Sequence, residues 1–483
     1  MPRKLSLFGV AILVISAFIA GRILDRATTG TVLTATTAAA VAADQKPEYE
    51  TDPEIMKQVV AGGVPMGRWN EGLMFEGIEP MPWLKSSANW FPNTEELQPE
   101  EMRITFMGTT PTIRPGQMNT SVFVELGNGD KFVFDIGEGS VANYLAAGIA
   151  FNEINNIFIT HLHVDHFGSL PYVYVFGGWG GRWHQPLRVF GPSGASPEYG
   201  TVSMIEGMKQ MVKWHTDAFD VFPIGRGWEI EVNEFDFRDD GGTIYNENGV
   251  KVIHWRQSHA KDGASAYRLD WNSLSVVFSG DGRPNSLTEK YAQGVDVLIT
   301  ELQPEVIAIS SLVQGVPPFV GRYTVDTHHN PAYAAGYLAN KVQPRLFMAT
   351  HMPYDAYINP ETVAEVREHW KGPFHPGAPD LVVVNVTKDR LWVREGVVSD
   401  YPNVTPPQAH ASIDLYGGLV VPVPKHQRED IQEQFIRDAQ IPPEEYYPDG
   451  YMPELMESWP TDKPLFIPEE DVPASMKRRK KQD

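Results

Sequence analysis

The chain has 483 residues, 42% of them hydrophobic, and a formal net charge of −21. That is enough for one large α/β core with extensions or for two domains, and too polar for a multispan membrane protein. The acidic balance disfavours nucleic acid as a partner unless a local basic patch overrides the long-range field; the absence of cysteine excludes disulfides and thiolates and leaves His and carboxylate as metal donors.

In chain order, Arg3 and Lys4 precede an apolar run from Leu5 to Gly21, followed by Arg22, Arg26 and a Thr/Ala-rich stretch to Ala43. The basic-then-apolar order reads as a secretory signal peptide or an uncleaved membrane anchor, and Ala40-Val41-Ala42 offers an A-x-A cleavage site. The expectation is an exported protein, periplasmic or extracellular-facing, secreted or anchored by residues 1–43. Residues 44–101, rich in Pro, Trp and Met, read as an N-terminal arm. A main domain is expected over 102–398. Strands are predicted at Arg103–Met107, Ser121–Leu126 and Lys131–Asp135, the latter two joined by the hairpin signal Gly127-Asn128-Gly129. A short helix over Val141–Gly148 precedes a buried strand at Ile157–Ile159. Leu187–Phe190 is a strand, and Thr201–Trp214 has helical spacing.

The second half repeats this style. Strands are predicted at Val250–Trp255, Ala266–Asp270, Leu274–Phe278, Val297–Ile299, Arg345–Ala349, Leu381–Val386 and Leu391–Val393. Helices are predicted at Leu287–Gln293, Ala332–Lys341 and Pro360–Trp370. Two comparable halves of hairpins and helices fit two β-sheets packed face to face with helices outside. Residues 399–483 form a Pro-rich, acidic C-terminal extension ending in the basic cluster Lys477–Lys481, read as a solvated end.

The chemistry concentrates in His161-Leu162-His163-Val164-Asp165-His166. His161 and His163 alternate on one extended segment, so both rings can face the same way. Four ligand-type side chains within six residues at a strand end are costly unless a cation pairs with them. Further donors recur in one local form: apolar strand, small residue, ligand type, turn. These are His259 after a strand, Asp281 in Ser279-Gly280-Asp281-Gly282, and His351 in Ala349-Thr350-His351. Asp135, in Phe134-Asp135-Ile136-Gly137, is expected to orient a ligand histidine from behind.

This set, in this order, resembles the metallo-β-lactamase superfamily, in its ribonuclease Z and zinc arylsulfatase-like branch. Phe134–Ser140, Phe158–His166, Arg188–Gly194 and Phe278–Pro284 look like that branch's motifs, and the match covers roughly residues 102–395. The resemblance implies a four-layer αββα sandwich with two divalent metal ions, zinc being the expected identity, at one edge. His161, His163, His259 and Asp281 would hold one ion. Asp165, His166, Asp281 and His351 would hold the other, with Asp281 bridging. Iron or manganese could occupy such a site as well. The sequence departs from ribonuclease Z enzymes in carrying Thr300-Glu301-Leu302-Gln303 where they have His-Glu-Ala-Thr, and His329-Asn330-Pro331 where they have His-Ser-Thr. His259 and Asp281 are also too close for the inserted tRNA-gripping arm that many of them carry.

The expected activity is attack of a water shared by the two ions on a small-molecule ester (a sulfate, phosphodiester or lactone) outside the cytoplasm. Asp165 would orient that water. His329 would protonate the leaving group, with His328 its rival. The alternatives are a ribonuclease Z-type endoribonuclease acting on tRNA and a catalytically silent metal-binding protein. Phe176–Trp183, read as a Gly- and aromatic-rich loop, and Val316–Tyr323 are candidate pocket walls, and Arg182, Arg283 and Arg322 are candidate anion contacts.

Overall fold

The computed structural model describes residues 89–398, apart from 93–94, 181, 183–184, 220–225, 305–316, 354–358 and 378. The expectations placed on residues 1–88 and 399–483 lie outside the described residues.

The first sheet is built from β1 (Met102–Gly108), β2 (Ser121–Leu126), β3 (Lys131–Phe134), β4 (Asn156–Phe158), β5 (Leu187–Pro192) and β6 (Ile230–Phe235), with β14 (Val382–Val386) and β15 (Leu391–Glu395) returning beside β1. Its order is β15-β14-β1-β2-β3-β4-β5-β6. The second comprises β7 (Thr243–Glu247), β8 (Val250–Arg256), β9 (Ser265–Trp271), β10 (Leu274–Phe278), β11 (Val297–Glu301), β12 (Leu346–Thr350) and β13 (Phe374–His375), in the order β13-β12-β11-β10-β9-β8-β7. In each sheet an antiparallel stretch gives way to a parallel one: β3 through β6 in the first, β10 through β13 in the second.

The period of two along the strands sorts their side chains into separate cores. Phe132 and Phe134 of β3, Phe158 of β4 and Phe190 of β5 meet Leu274, Val276 and Phe278 of β10 between the sheets. Their neighbours Val133, Ile157 and Val189 face the opposite way, toward α1 (Ser140–Ala146), α3 (Leu170–Trp179) and α4 (Thr201–Met211). Val277, Leu298 and Phe347 likewise face α8 (Ala332–Val342) and α9 (Asn359–His369). Three cores separated by two sheets make the four layers of an αββα sandwich. The helices between are α2 (Val164–Phe167), α5 (Lys213–Ala218), α6 (Ser286–Tyr291) and α7 (Pro318–His328).

The structure corrects several local expectations. The helix expected over Thr201–Trp214 breaks at Val212 into α4 and α5. Trp214 is 82% exposed, so its apolar side chain does not extend the buried face. Phe176–Trp179 is not loop but the last turn of α3. The two glycines there serve packing: a Cβ at Gly177 would enter the Arg182 guanidinium, and one at Gly178 would strike the Trp228 ring at 2.5 Å. Pro318–Tyr323 opens α7. No helix among the described residues is long and apolar enough to cross a membrane.

Two buried histidines lie away from the His cluster. Burial pushes His254, on β8, and His375, on β13, down to about 4 from 6.5. The unfolded chain takes up these protons near pH 6.5 and the folded chain only near 4, so stability present above pH 6.5 is lost as pH falls toward 4. A His254→Phe variant should therefore lose less melting temperature than the wild type between pH 7 and pH 4.5, as scanning calorimetry would measure.

Candidate metal centre

The parallel strands of both sheets end at the same edge. Beyond the end of β4, the Ile159 amide donates to Phe190 O, and the Ile159 carbonyl accepts from the Tyr267 hydroxyl of the other sheet. Thr160 is held by Asp135, whose carboxylate accepts from the Thr160 amide at 2.7 Å and hydroxyl at 2.8 Å. From this anchored base the chain stays extended through His161 and His163, then turns into α2, which carries Asp165 and His166. Asp281 leaves β10 between Gly280 (φ +58) and Gly282 (φ +147). A Cβ on Gly280 would also lie 2.7 Å from Thr160 Cβ, so this approach of the two sheets requires glycine. Asp135 and His351 adopt left-handed φ values of 55° and 51°. Such backbone is costly for a non-glycine residue and is found where surrounding structure enforces it, often at functional sites.

These elements assemble three overlapping donor groups: His161, His163, His259 and Asp281; Asp165, His166 and His351, whose two rings also approach Asp281; and Asp281, Glu301, His329 and His351. In the first, His163 Nδ1 lies 3.0 Å from both His161 Nε2 and His259 Nε2, and Asp281 Oδ2 lies 3.9 and 4.0 Å from those two Nε2 atoms. In the second, His166 Nε2 is 3.4 Å from Asp165 Oδ2 and from Asp281 Oδ2. His351 Nε2 is 3.1 and 3.3 Å from the same two oxygens. Ligands bonded tetrahedrally at the usual zinc distances sit about 3.3 Å from one another, so the second group has the spacing of a coordination shell. The first is less even, with the carboxylate set back.

The remaining ring nitrogens are tied from outside. His166 Nδ1 is 2.7 Å from Asp135 Oδ2, His259 Nδ1 donates to the His328 carbonyl at 2.6 Å, and His161 Nδ1 is 3.1 Å from Thr160 Oγ1. Such partners fix the tautomer that leaves the inward nitrogen free to bind.

The electrostatics of the groups differ. Burial, then the neighbouring rings, hold His161 and His163 below the usual imidazole value. Burial also lowers His259. These are neutral rings, the form a metal takes. Burial works against charge on His166 and His351 too, but Asp281 and its neighbouring carboxylates outweigh it and hold His351 up to about 10. That side therefore carries an excess of negative charge which attracts a cation. His166 Nε2 and Asp281 Oδ1 are buried without a hydrogen-bond partner. Buried unpaired charge costs on the order of several kcal/mol per ion. Divalent cations satisfy the orphaned atoms and the excess charge together, so the donor set fits them.

A family model described as anti-Pycsar protein Apyc1 matches residues 102–308. The ribonuclease BN of Proteus mirabilis is 38% identical over 307 residues, covering 55% of this chain and 94% of its own. The ribonuclease Z of Picrophilus torridus is 30% identical over 226 residues, covering 41% of this chain and 72% of its own. The chain belongs to the ribonuclease Z branch of the metallo-β-lactamase superfamily. It is a hydrolytic enzyme of that fold. A crystal structure of human tRNase Z, short form, aligns with 58% of this chain and 98% of its own at 17% identity and a TM-score of 0.43.

All seven sequence-assigned ligands of this ribonuclease Z-type site come together, and His329 joins them. Its ring stacks on His351 at 5.7 Å and meets His259 edge-on at 5.0 Å. His328 contributes its carbonyl instead, its ring resting on Tyr323 and 6.3 Å from that of His259. Glu301 was missed. It is buried, lies 2.7 Å from His329 Nδ1 and accepts from the Gly282 amide at 2.5 Å. Burial opposes charge on His329, but Glu301 outweighs it and raises the ring above its usual value. An acidic residue closing an apolar strand, as at Asp135 and Asp281, was the available signal. Arg182 is not an anion contact. It is buried and donates to the carbonyls of Val173, Tyr174 and Gly227. Arg322 is exposed on α7, and the Arg283 amide pairs with Ser258 O.

Replacing Asp135 by Asn should weaken metal affinity by about 10- to 100-fold through the freed His166 ring. Competition with a chromophoric chelator measures this; an unchanged affinity would remove Asp135 from the support of the site.

Proposed function

We propose that the protein is a metal-dependent phosphodiesterase of the ribonuclease Z type. The observation that carries this reading is the set of overlapping donor groups gathered around Asp281 and His351, which includes the His329–Glu301 pair. Two divalent ions, zinc by expectation, would be held by His161, His163, His259 and Asp281 and by Asp165, His166, Asp281 and His351. Bound there, they supply Lewis-acid activation of water and neutralise charge at the reacting phosphorus.

The chain's own residues divide the remaining work. Asp165 is 21% exposed and can accept a hydrogen bond from the attacking water, orienting it. Glu301 fixes the proton on His329 Nδ1, so Nε2 gives a proton to the departing oxygen as its bond to phosphorus breaks. The buried carboxylate–imidazole contact raises the ring's proton affinity, as an acid in this role requires. The ribonuclease names of the relatives support phosphodiesters over sulfates or lactones.

A second reading, a small phosphodiester or other small ester as substrate, is favoured by two observations. His259 and Asp281 are joined by the β9–β10 hairpin, whose strands pair directly from Leu274↔Trp271 to Phe278↔Tyr267, so no arm extends there. The net charge of −21 opposes a polyanion.

The test is hydrolysis by the full-length protein, with and without prior chelation, of a chromogenic phosphodiester, sulfate and lactone beside a precursor tRNA. Chelator-sensitive turnover of the phosphodiester is expected, and turnover confined to the sulfate or lactone would overturn the proposal. His329→Ala should slow an alkyl leaving group at least about 100-fold more than p-nitrophenolate, which departs without a proton. Equal losses on both would remove the acid role.

A further inference from the structure

Asp380 is a buried carboxylate outside the metal donors, in the turn before β14. Its Oδ1 accepts from the Thr109 hydroxyl at 2.6 Å. Its Oδ2 accepts from the Met118 amide at 2.6 Å and from Asn143 Nδ2, on α1, at 2.8 Å. Thr109 and Met118 lie toward the two ends of the loop between β1 and β2, and the Thr109 amide donates to Met118 O at 2.8 Å. One carboxylate therefore ties both ends of that loop to each other and to a helix. Burial pushes Asp380 up to about 7 from 3.8, against the pull of these hydrogen bonds. A carboxylate so placed is costly, and its partners account for it. All three are donors, and Thr109 Oγ1 already accepts from Gln117 Nε2 at 2.9 Å. An amide in its place would turn two hydrogens toward groups that themselves donate.

The loop that Asp380 ties shut holds the second donor group from two sides. Thr109 O accepts from the Met352 amide at 2.7 Å, and Gln117 Nε2 donates to the Met352 carbonyl at 3.1 Å. Both backbone polar groups of Met352 are thereby fixed by the loop. Met352 follows His351, whose left-handed φ of 51° is costly and persists only where the surroundings enforce it. At the loop's other end the Asn119 amide donates to Glu138 O and Thr120 O accepts from the Gly137 amide, both in the turn after Asp135. In the same turn the Ile136 amide donates to His166 O. The described hydrogen bonds of the loop thus run to the supports of His351 and His166. In the first group, His161 and His259 lean instead on Thr160 and the His328 carbonyl.

We propose that Asp380 is a positioning residue for His351. Through Thr109 and Gln117 it holds Met352, and with it the His351 ring, where the second donor group can close on an ion. The inference rests on the two-ion reading and adds to it a residue that touches neither ion.

The test uses the full-length protein, stripped of metal by chelation and reloaded with zinc, as wild type and as the variants Asp380→Asn, Thr109→Val and Thr109→Ser. Competition with a chromophoric chelator gives the two stepwise affinities. Zinc anomalous peak heights from crystals grown at limiting zinc assign each affinity to its donor group. Loss of a partner that orients a ligand from outside costs about 10- to 100-fold in metal affinity. A loss in that range is expected in Asp380→Asn and Thr109→Val for the ion among Asp165, His166 and His351, leaving the ion among His161, His163 and His259 as in wild type. Thr109→Ser, which keeps the hydroxyl, should bind both ions as wild type does. Equal weakening of both ions, no weakening, or a Thr109→Ser as impaired as Thr109→Val overturns the assignment. So does loss of the folded state in both Asp380→Asn and Thr109→Val, read by circular dichroism, which would make Asp380 a support of the whole sandwich. A wild type that takes up no ion among Asp165, His166 and His351 overturns the two-ion reading and the inference with it.

Discussion

The site depends on one buried carboxylate. Asp281 is reached by ring nitrogens of five histidines, His161 and His166 from one segment of chain and His259, His329 and His351 from three others. Taking a carboxylate out of water is expensive unless positive charge answers it, and here no Lys or Arg does so among the ion pairs described for it. Histidines and metal ions are the available answer. Everything else at this edge of the sandwich holds Asp281 and its partners where one charge can serve both groups.

The sheets accomplish this by ending together. The strands that carry Asp135, the His cluster, Asp281, Glu301 and His351 all run parallel into the same edge, and their buried aromatic cores fix their relative heights. That edge carries local strain: left-handed backbone at Asp135 and His351, and close glycine contact at Gly280. A second ring of partners (Asp135, Thr160, the His328 carbonyl and Glu301) then sets which nitrogen of each imidazole faces inward. The same construction that gathers the metal donors also orients His329, so the proposed cation binding and proton delivery share supports.

Much of this was legible in the sequence because its signals are local. Buried strands such as Leu274–Phe278 are nearly continuous apolar runs, and the ligands follow them after small residues. What was missed is what depends on neighbours. β6 and β7 went unread because they form sheet edges, where strands such as Ile230–Phe235 carry Glu231, Asn233 and Glu234 rather than an apolar run. Gly177 and Gly178 read as loop residues, yet they admit Arg182 and Trp228 against a helix. Arg182 read as an anion contact because nothing in its sequence shows that three backbone carbonyls enclose it. Glu301 was noticed only as part of a departure from a motif, since its meaning comes from His329, 28 residues away in the chain.

The claim that one carboxylate serves two cations is tested most directly by anomalous X-ray scattering from crystals of the zinc-loaded protein. The account predicts two peaks, one among His161, His163 and His259 and one among Asp165, His166 and His351, each within bonding distance of Asp281. A single peak, or two of which only one reaches Asp281, would contradict it.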